Sequence, residues 1–114
     1  MPDSNPPLSL AGRTMRWRFD TGPTAGKTFE HTFGRDGIVV FREVGGKEAK
    51  PGDSESGPRY ASFEVAPEMH LVSYLAASGY TLTVLVNRSE KRLHGFASNE
   101  KSWFPLEGVL VSER

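Results

Sequence analysis

Alternation limits this chain more than any other feature. From about residue 13 onward, apolar side chains recur at every second position in short runs, and Gly, Pro, Asn and Ser break the runs apart. A period of two places alternate side chains on opposite faces of an extended strand. In Thr14–Asp20, Met15, Trp17 and Phe19 share one face while Arg16 and Arg18 take the other. In Lys27–Phe33, Phe29, His31 and Phe33 alternate with Thr28, Glu30 and Thr32. Arg35-Asp36-Gly37 supplies a tight turn, and the β-branched run after it reads as a third strand.

Residues 45–58, rich in Gly, Pro and charge, form the clearest loop. Five more runs follow, beginning at Arg59, Met69, Tyr80, Arg92 and Ser102, with short turn-forming segments between them. No helical repeat longer than about two turns survives these interruptions. Eight short strands joined by hairpins imply an antiparallel meander, and closure removes its exposed edges. The expected fold is all-β: an eight-stranded antiparallel up-and-down barrel of the lipocalin-like (calycin) kind. Its interior is wide enough for side chains or one small ligand. The division expected is a flexible N-terminal arm over 1–12, with three prolines, and a single barrel domain over 13–114.

The 114 residues suffice for one domain with a real core. Fourteen basic side chains balance fourteen acidic ones, which argues against a general field for nucleic acid or an anionic membrane. With no cysteine, disulfides and thiolate zinc sites are excluded. The N-terminus lacks the basic and apolar regions of a secretory signal, and no window approaches the roughly 18 apolar residues of a spanning helix. A cytoplasmic protein without membrane or nucleic-acid partners is expected. Asn87-Arg88-Ser89 fits the glycosylation pattern by chance on that reading.

Asp20–Thr28 ends in the Gly-Lys-Thr of a phosphate loop. That motif needs an earlier Gly at the position held by Thr21, and it must open a helix whose N-terminus faces the phosphate. Here the alternating Phe29, His31 and Phe33 follow instead. A glycine-rich hairpin with a solvated Lys27 is the consistent reading.

Val72-Ser73-Tyr74-Leu75-Ala76 and Glu90-Lys91-Arg92-Leu93-His94-Gly95, with the Trp17-Arg18-Phe19 and Ile38–Gly46 strands, resemble the barrel of bacterial phenolic acid decarboxylases across about residues 14–98. The short length and the Trp103–Gly108 ending look more like the MoaF-like branch of that superfamily, which has no established catalytic activity. By this resemblance the decarboxylase's two orienting tyrosines fall on Trp17 and Phe19, its arginine on Arg42, and its acid/base glutamate on Ala76. Losing a proton-transferring carboxylate removes a group worth about 10²–10⁴-fold in rate, so that decarboxylation is not expected.

The same alignment turns Trp17, Phe19, Val40, Arg42, His70, Tyr74 and Ala76 toward the interior. An aromatic cavity with one guanidinium would hold a small hydrophobic or aromatic acid. Arg42 could equally pair with Glu64 or Glu107, or sit in water at the mouth. Tyr60, Tyr74 and Tyr80 could each present a phenol to the cavity or to the surface. His31, His70 and His94 lie on three strands; they could converge on zinc, but core or rim positions are the expectation, and neither metal nor cofactor is expected. Apolar residues on the other face, among them Val39, Phe41, Leu71 and Leu75, together with the Trp103–Leu106 patch, point to a homodimer. The reading is a non-catalytic binding barrel. An enzyme with reassigned groups (His70, Tyr74 or His94 as proton donor) and a purely structural dimerisation module are the alternatives.

Overall fold

The computed structural model describes residues 7–22, 24–44, 55–76 and 79–114. They form β1 (Thr14–Phe19), β2 (Thr28–Phe33), β3 (Ile38–Val44), β4 (Glu55–Ala66), β5 (Met69–Leu75), β6 (Thr81–Asn87), β7 (Arg92–Ser98) and β8 (Trp103–Glu113). Each strand pairs antiparallel with the next, and β8 returns to β1, closing the barrel in sequence order. The expected fold is therefore the observed one. No helix among the described residues is long and apolar enough to cross a membrane.

One boundary differs from expectation. Of the loop anticipated over 45–58, residues 45–54 lie outside the described residues, and β4 already begins at Glu55. Ile38 pairs with Arg59 and Val40 with Ser56, so β4 carries an extra residue against β3 there. Such a bulge tolerates Pro58, which has no N–H to give a ladder, and Gly57 beside it takes a φ of 119°.

Strand alternation fills the interior. Met15, Trp17, Phe33, Val39, Tyr60, Val72, Val84, Val86, Leu93 and Leu110 are buried in one cluster. Two glycines permit the close strand approach. A Cβ on Gly95 would strike the Thr83 carbonyl of β6, and one on Gly108 would strike the Arg18 carbonyl of β1. Gly95 ends the Glu90–Gly95 block, so its fixed role is steric fit between β6 and β7.

The end of the barrel where β1 begins is stoppered. β4 is longer than its partner β3, which leaves backbone groups of its lower half unpaired on that side. Residues 7–10 take that place: Ser62 N–H donates to Pro7 O (2.9 Å), Ser9 N–H to Ser62 O (3.1 Å), and Leu10 N–H to Ser62 Oγ (2.9 Å). Gly12 N–H then donates to Phe33 O at 2.7 Å, and Leu10 is fully buried. Residues 7–12 of the expected flexible arm are thus tied to the barrel, with Leu10 in its core and Leu8 packed against it.

The outer surface has two characters. On β1–β3, Glu30 accepts from Arg16 Nε at 2.8 Å and from Arg42 Nη2 at 3.2 Å, with Arg114 3.9 Å away. On β4–β8, Phe63, Leu75, Phe96 and Trp103 stand exposed, with Leu71 and Leu85 between them.

Candidate functional site

The opposite end of the barrel, where β1 finishes, is hollow. A cavity of about 160 Å³ opens there. Its walls are aromatic and aliphatic: Phe19 and Phe29 on one side, Phe41 and Tyr80 beyond them, and Leu82 and Leu106 closing the ring. Ala76 and Ala97 are small, which is what leaves the space. Thr24, from the turn between β1 and β2, contributes a hydroxyl-bearing side chain at the rim.

Polar character concentrates in His31 and Tyr74, which both line the cavity. His31 Nε2 lies 2.8 Å from Tyr74 Oη in a fully buried hydrogen bond. The register puts His31 opposite Met15 of β1 and Phe41 of β3. Its ring stacks on Trp17 at 4.1 Å between centroids and on Phe41 at 5.3 Å, while Tyr74 meets it edge-on at 5.8 Å. Burial among these rings drives the imidazole pKa down to about 3, opposed only by the attraction of the Phe29 carbonyl for a ring proton. His31 is therefore neutral at physiological pH. The Trp17 Nε1 and His31 Nδ1 atoms are buried with no hydrogen-bond partner of ordinary geometry among the described residues.

Of the residues expected to line a pocket, Phe19, Tyr74 and Ala76 do so. Trp17 is buried one layer deeper and reaches the site through its stack on His31. His70 is buried toward the stoppered end, where its Nδ1 lies 2.8 Å from Ser9 Oγ. Burial lowers its pKa as well, against the opposing charge of Glu64.

Val40 and Arg42 are corrections. Val40 is paired with Thr32 and Arg42 with Glu30, on the face opposite to His31 and Phe41. The Arg42 guanidinium lies outside the wall, 40% exposed and paired with Glu30. The buried carboxylate that a guanidinium in this fold required is Glu30, not Glu64 or Glu107. By the same register Val39 is fully buried and Phe41 lines the cavity, so neither belongs to the outer apolar face; Leu71 and Leu75 do.

Among the tyrosines, Tyr60 donates its hydroxyl to Gly34 O at 2.8 Å, away from the hollow, while Tyr80 lines it. His94 is exposed, with its Nε2 3.9 Å from Glu107. Among the described residues no three His, Cys, Asp or Glu side chains gather closely enough to hold a metal ion. In the phosphate-loop-like stretch, β2 follows directly and Lys27 Nζ lies 4.0 Å from Glu43 Oε1, half exposed. His31 is the site residue that the pocket expectation missed. Its signal was present: a lone polar side chain in phase with Phe29 and Phe33 on an otherwise apolar face.

A closed eight-stranded antiparallel barrel, stoppered at one end and hollow at the other, defines the class: a lipocalin-like barrel. No family model matches the chain, and no curated protein does. Among solved structures, it is similar to a crystal structure from Burkholderia vietnamiensis described as a "putative beta-lactamase". The TM-score is 0.69 at 19% identity, over 94% of this chain and 97% of that one. At that identity the likeness shows a shared fold.

Proposed function

We propose that this chain is a non-catalytic, small-molecule-binding barrel of MoaF-like type, whose hollow end holds one small hydrophobic or aromatic molecule. The observation that carries the reading is the cavity of about 160 Å³, walled by aromatic rings with a neutral Tyr74–His31 pair between them. An apolar protein cavity of about 150 Å³ is large enough to take benzene, so a single ring is the size class. Such sites combine apolar area with a few fixed polar groups that orient the ligand. The acid expected from the sequence loses its anchor, because Arg42 stands outside the wall and no cationic side chain lines the hollow among the described residues.

Ala76 in the wall, where the resembling decarboxylases carry their proton-transferring glutamate, supports binding without that chemistry. The name of the Burkholderia protein supports no further step. Serine and lysine, the usual nucleophile and its activator in serine β-lactamases, are both missing from the lining among the described residues.

Tryptophan fluorescence tests the reading. In a Trp103→Phe variant only Trp17 emits, and toluene or another single-ring compound shifts its emission saturably. No response to any such compound overturns it.

The outer face of β4–β8 supports a second copy of the chain as partner. Phe63, Leu75, Phe96 and Trp103 are 51–66% exposed. At roughly 100 Å² of exposed area each, they offer about 400 Å², and Leu71 and Leu85 extend the patch toward the ~800 Å² per partner of a stable interface. Sedimentation at rising concentration gives a dimer that Trp103→Glu dissociates; a wild-type monomer throughout removes the homodimer.

A further inference from the structure

We infer that the outer face of β1–β3 carries a second binding site, at the Arg16–Glu30–Arg42 row, for a tetrahedral dianion of the phosphate type. The site lies outside the barrel wall and does not depend on what the hollow holds.

Register builds the row. Glu30 of β2 is paired with Arg16 of β1 on one side and with Arg42 of β3 on the other, and Arg16 is paired in turn with Ser112 of β8. Residues paired directly across strands bring their side chains together on one face. Arg16 donates from Nε to Glu30 Oε2 at 2.8 Å, while Arg42 donates from Nε and Nη2 to Oε1 at 3.3 and 3.2 Å. One carboxylate thus clamps two guanidiniums, one on each oxygen, and the Arg114 guanidinium stands 3.9 Å from it. The Arg16 hydrogen bond holds the Glu30 carboxyl below its usual range, so the clamp stays ionised at neutral pH.

The clamp leaves a surplus of charge and of donors. Three guanidiniums face one carboxylate, an excess of two positive side-chain charges. Of the five N–H donors on a guanidinium, Arg16 spends one on Glu30 and Arg42 spends two. The remainder have no hydrogen-bond partner among the described residues. The Glu30 side chain is 9% exposed, against 41% for Arg16 and 40% for Arg42. An ion arriving from solvent therefore meets guanidinium edges, with the carboxylate beneath them. Nearby acids are engaged elsewhere: Asp20 by Arg18 at 3.0 Å, Glu43 by Lys27 at 4.0 Å and Glu113 by Arg88 at 2.7 Å.

These features set the class of ligand. A carboxylate has two oxygens and is matched by a single guanidinium fork. A phosphate group has oxygens for two forks at once, and close to two negative charges to balance the row. The formal net charge of the chain is zero, so the attraction comes from this row and not from a general field.

Nitrogen–proton correlation spectra at pH 7.5, with ionic strength held constant by sodium chloride, test the site with inorganic phosphate, phenyl phosphate and acetate. Phosphate should shift the Arg16, Glu30 and Arg42 amides saturably and bind more tightly than acetate. Arg16→Gln and Arg42→Gln should each weaken phosphate roughly three- to tenfold, the worth of a charge-assisted hydrogen bond at an exposed position. Arg92→Gln, which removes the same charge from β7, should leave phosphate affinity unchanged. Phenyl phosphate binding as well as phosphate assigns the site to phosphate monoesters, and phosphate binding alone assigns it to the free ion. The inference is overturned by the absence of a saturable shift at the row, by acetate binding as tightly as phosphate, or by an Arg92→Gln loss equal to that of Arg42→Gln.

Discussion

Trp17 and Phe41 stack on the same imidazole from neighbouring strands, yet they belong to differently packed regions. Trp17 sits in the filled part of the barrel, fully enclosed with Met15, Phe33, Val39 and Leu93. Phe41 is only partly buried, and its other side faces the hollow. The strands are the same in both regions; what differs is side-chain size and what crosses the end. Leu10 and the strap over 7–12 occupy one end, while Ala76 and Ala97 leave room at the other. A closed sheet therefore does not dictate a pocket. The choice of a few inward residues does.

Substitution tests that division most sharply. Trp17→Ala removes a fully enclosed ring and should cost about 3–5 kcal/mol, measured by urea denaturation at pH 7. Leu10→Ala should cost about 2–5 kcal/mol, and a much smaller loss would return residues 7–12 to the status of a loose arm. Phe41→Ala only widens an existing hollow and should cost less than about 3 kcal/mol while weakening ligand binding. Equal losses for Phe41→Ala and Trp17→Ala would erase the contrast between the two regions.

Acid sharpens the contrast further. The folded pKa of His31 is about 3, below the usual 6.5, and that of His70 is also lowered. Between those values the unfolded chain binds more protons than the folded one, so stability is full above about pH 6.5 and falls as pH falls, by up to about 1.4 kcal/mol per pH unit for each such group. Glu30, held below its usual range chiefly by the Arg16 hydrogen bond, adds a loss in the same direction below about pH 4.5. Denaturation midpoints measured from pH 8 to pH 4 should decline, and His31→Phe should flatten the decline between pH 6.5 and 4.5. A flat wild-type profile would mean that neither histidine is kept neutral by burial.

The smallest effects belong outside the wall. Arg42→Ala should change stability by about 1 kcal/mol or less, since Arg16 still pairs with Glu30, and it should leave ligand affinity unchanged. A large affinity loss would put the guanidinium back inside. Lys27→Ala should fall within about 0.5 kcal/mol.

The fold was legible because alternation in β1, β2, β5 and β6 marks an inside and an outside without reference to any partner. β3 defeats that reasoning. Ile38, Val39, Val40 and Phe41 are apolar in both phases, so the strand alone cannot say which side Arg42 takes. The phase is set by pairing with β2, where His31 meets Phe41 and Glu30 meets Arg42. An acid opposite an arginine was the clue, and it needed the register to become visible. The strap was hidden by composition: its prolines read as a loose arm, although Leu8 and Leu10 alternate around Ser9 like a short strand. His31 was in phase and in view, but a histidine between two phenylalanines reads as packing until Tyr74 is seen to reach it from the far wall.

The strap over 7–12 also has a consequence for access to the interior. With Leu10 buried at one end, the hollow among the described residues opens at the other, beside Thr24 and Tyr80, and on the binding reading proposed above a guest would come and go there. On that reading the described barrel is a cup rather than a pipe, and residence time would be set at the lip.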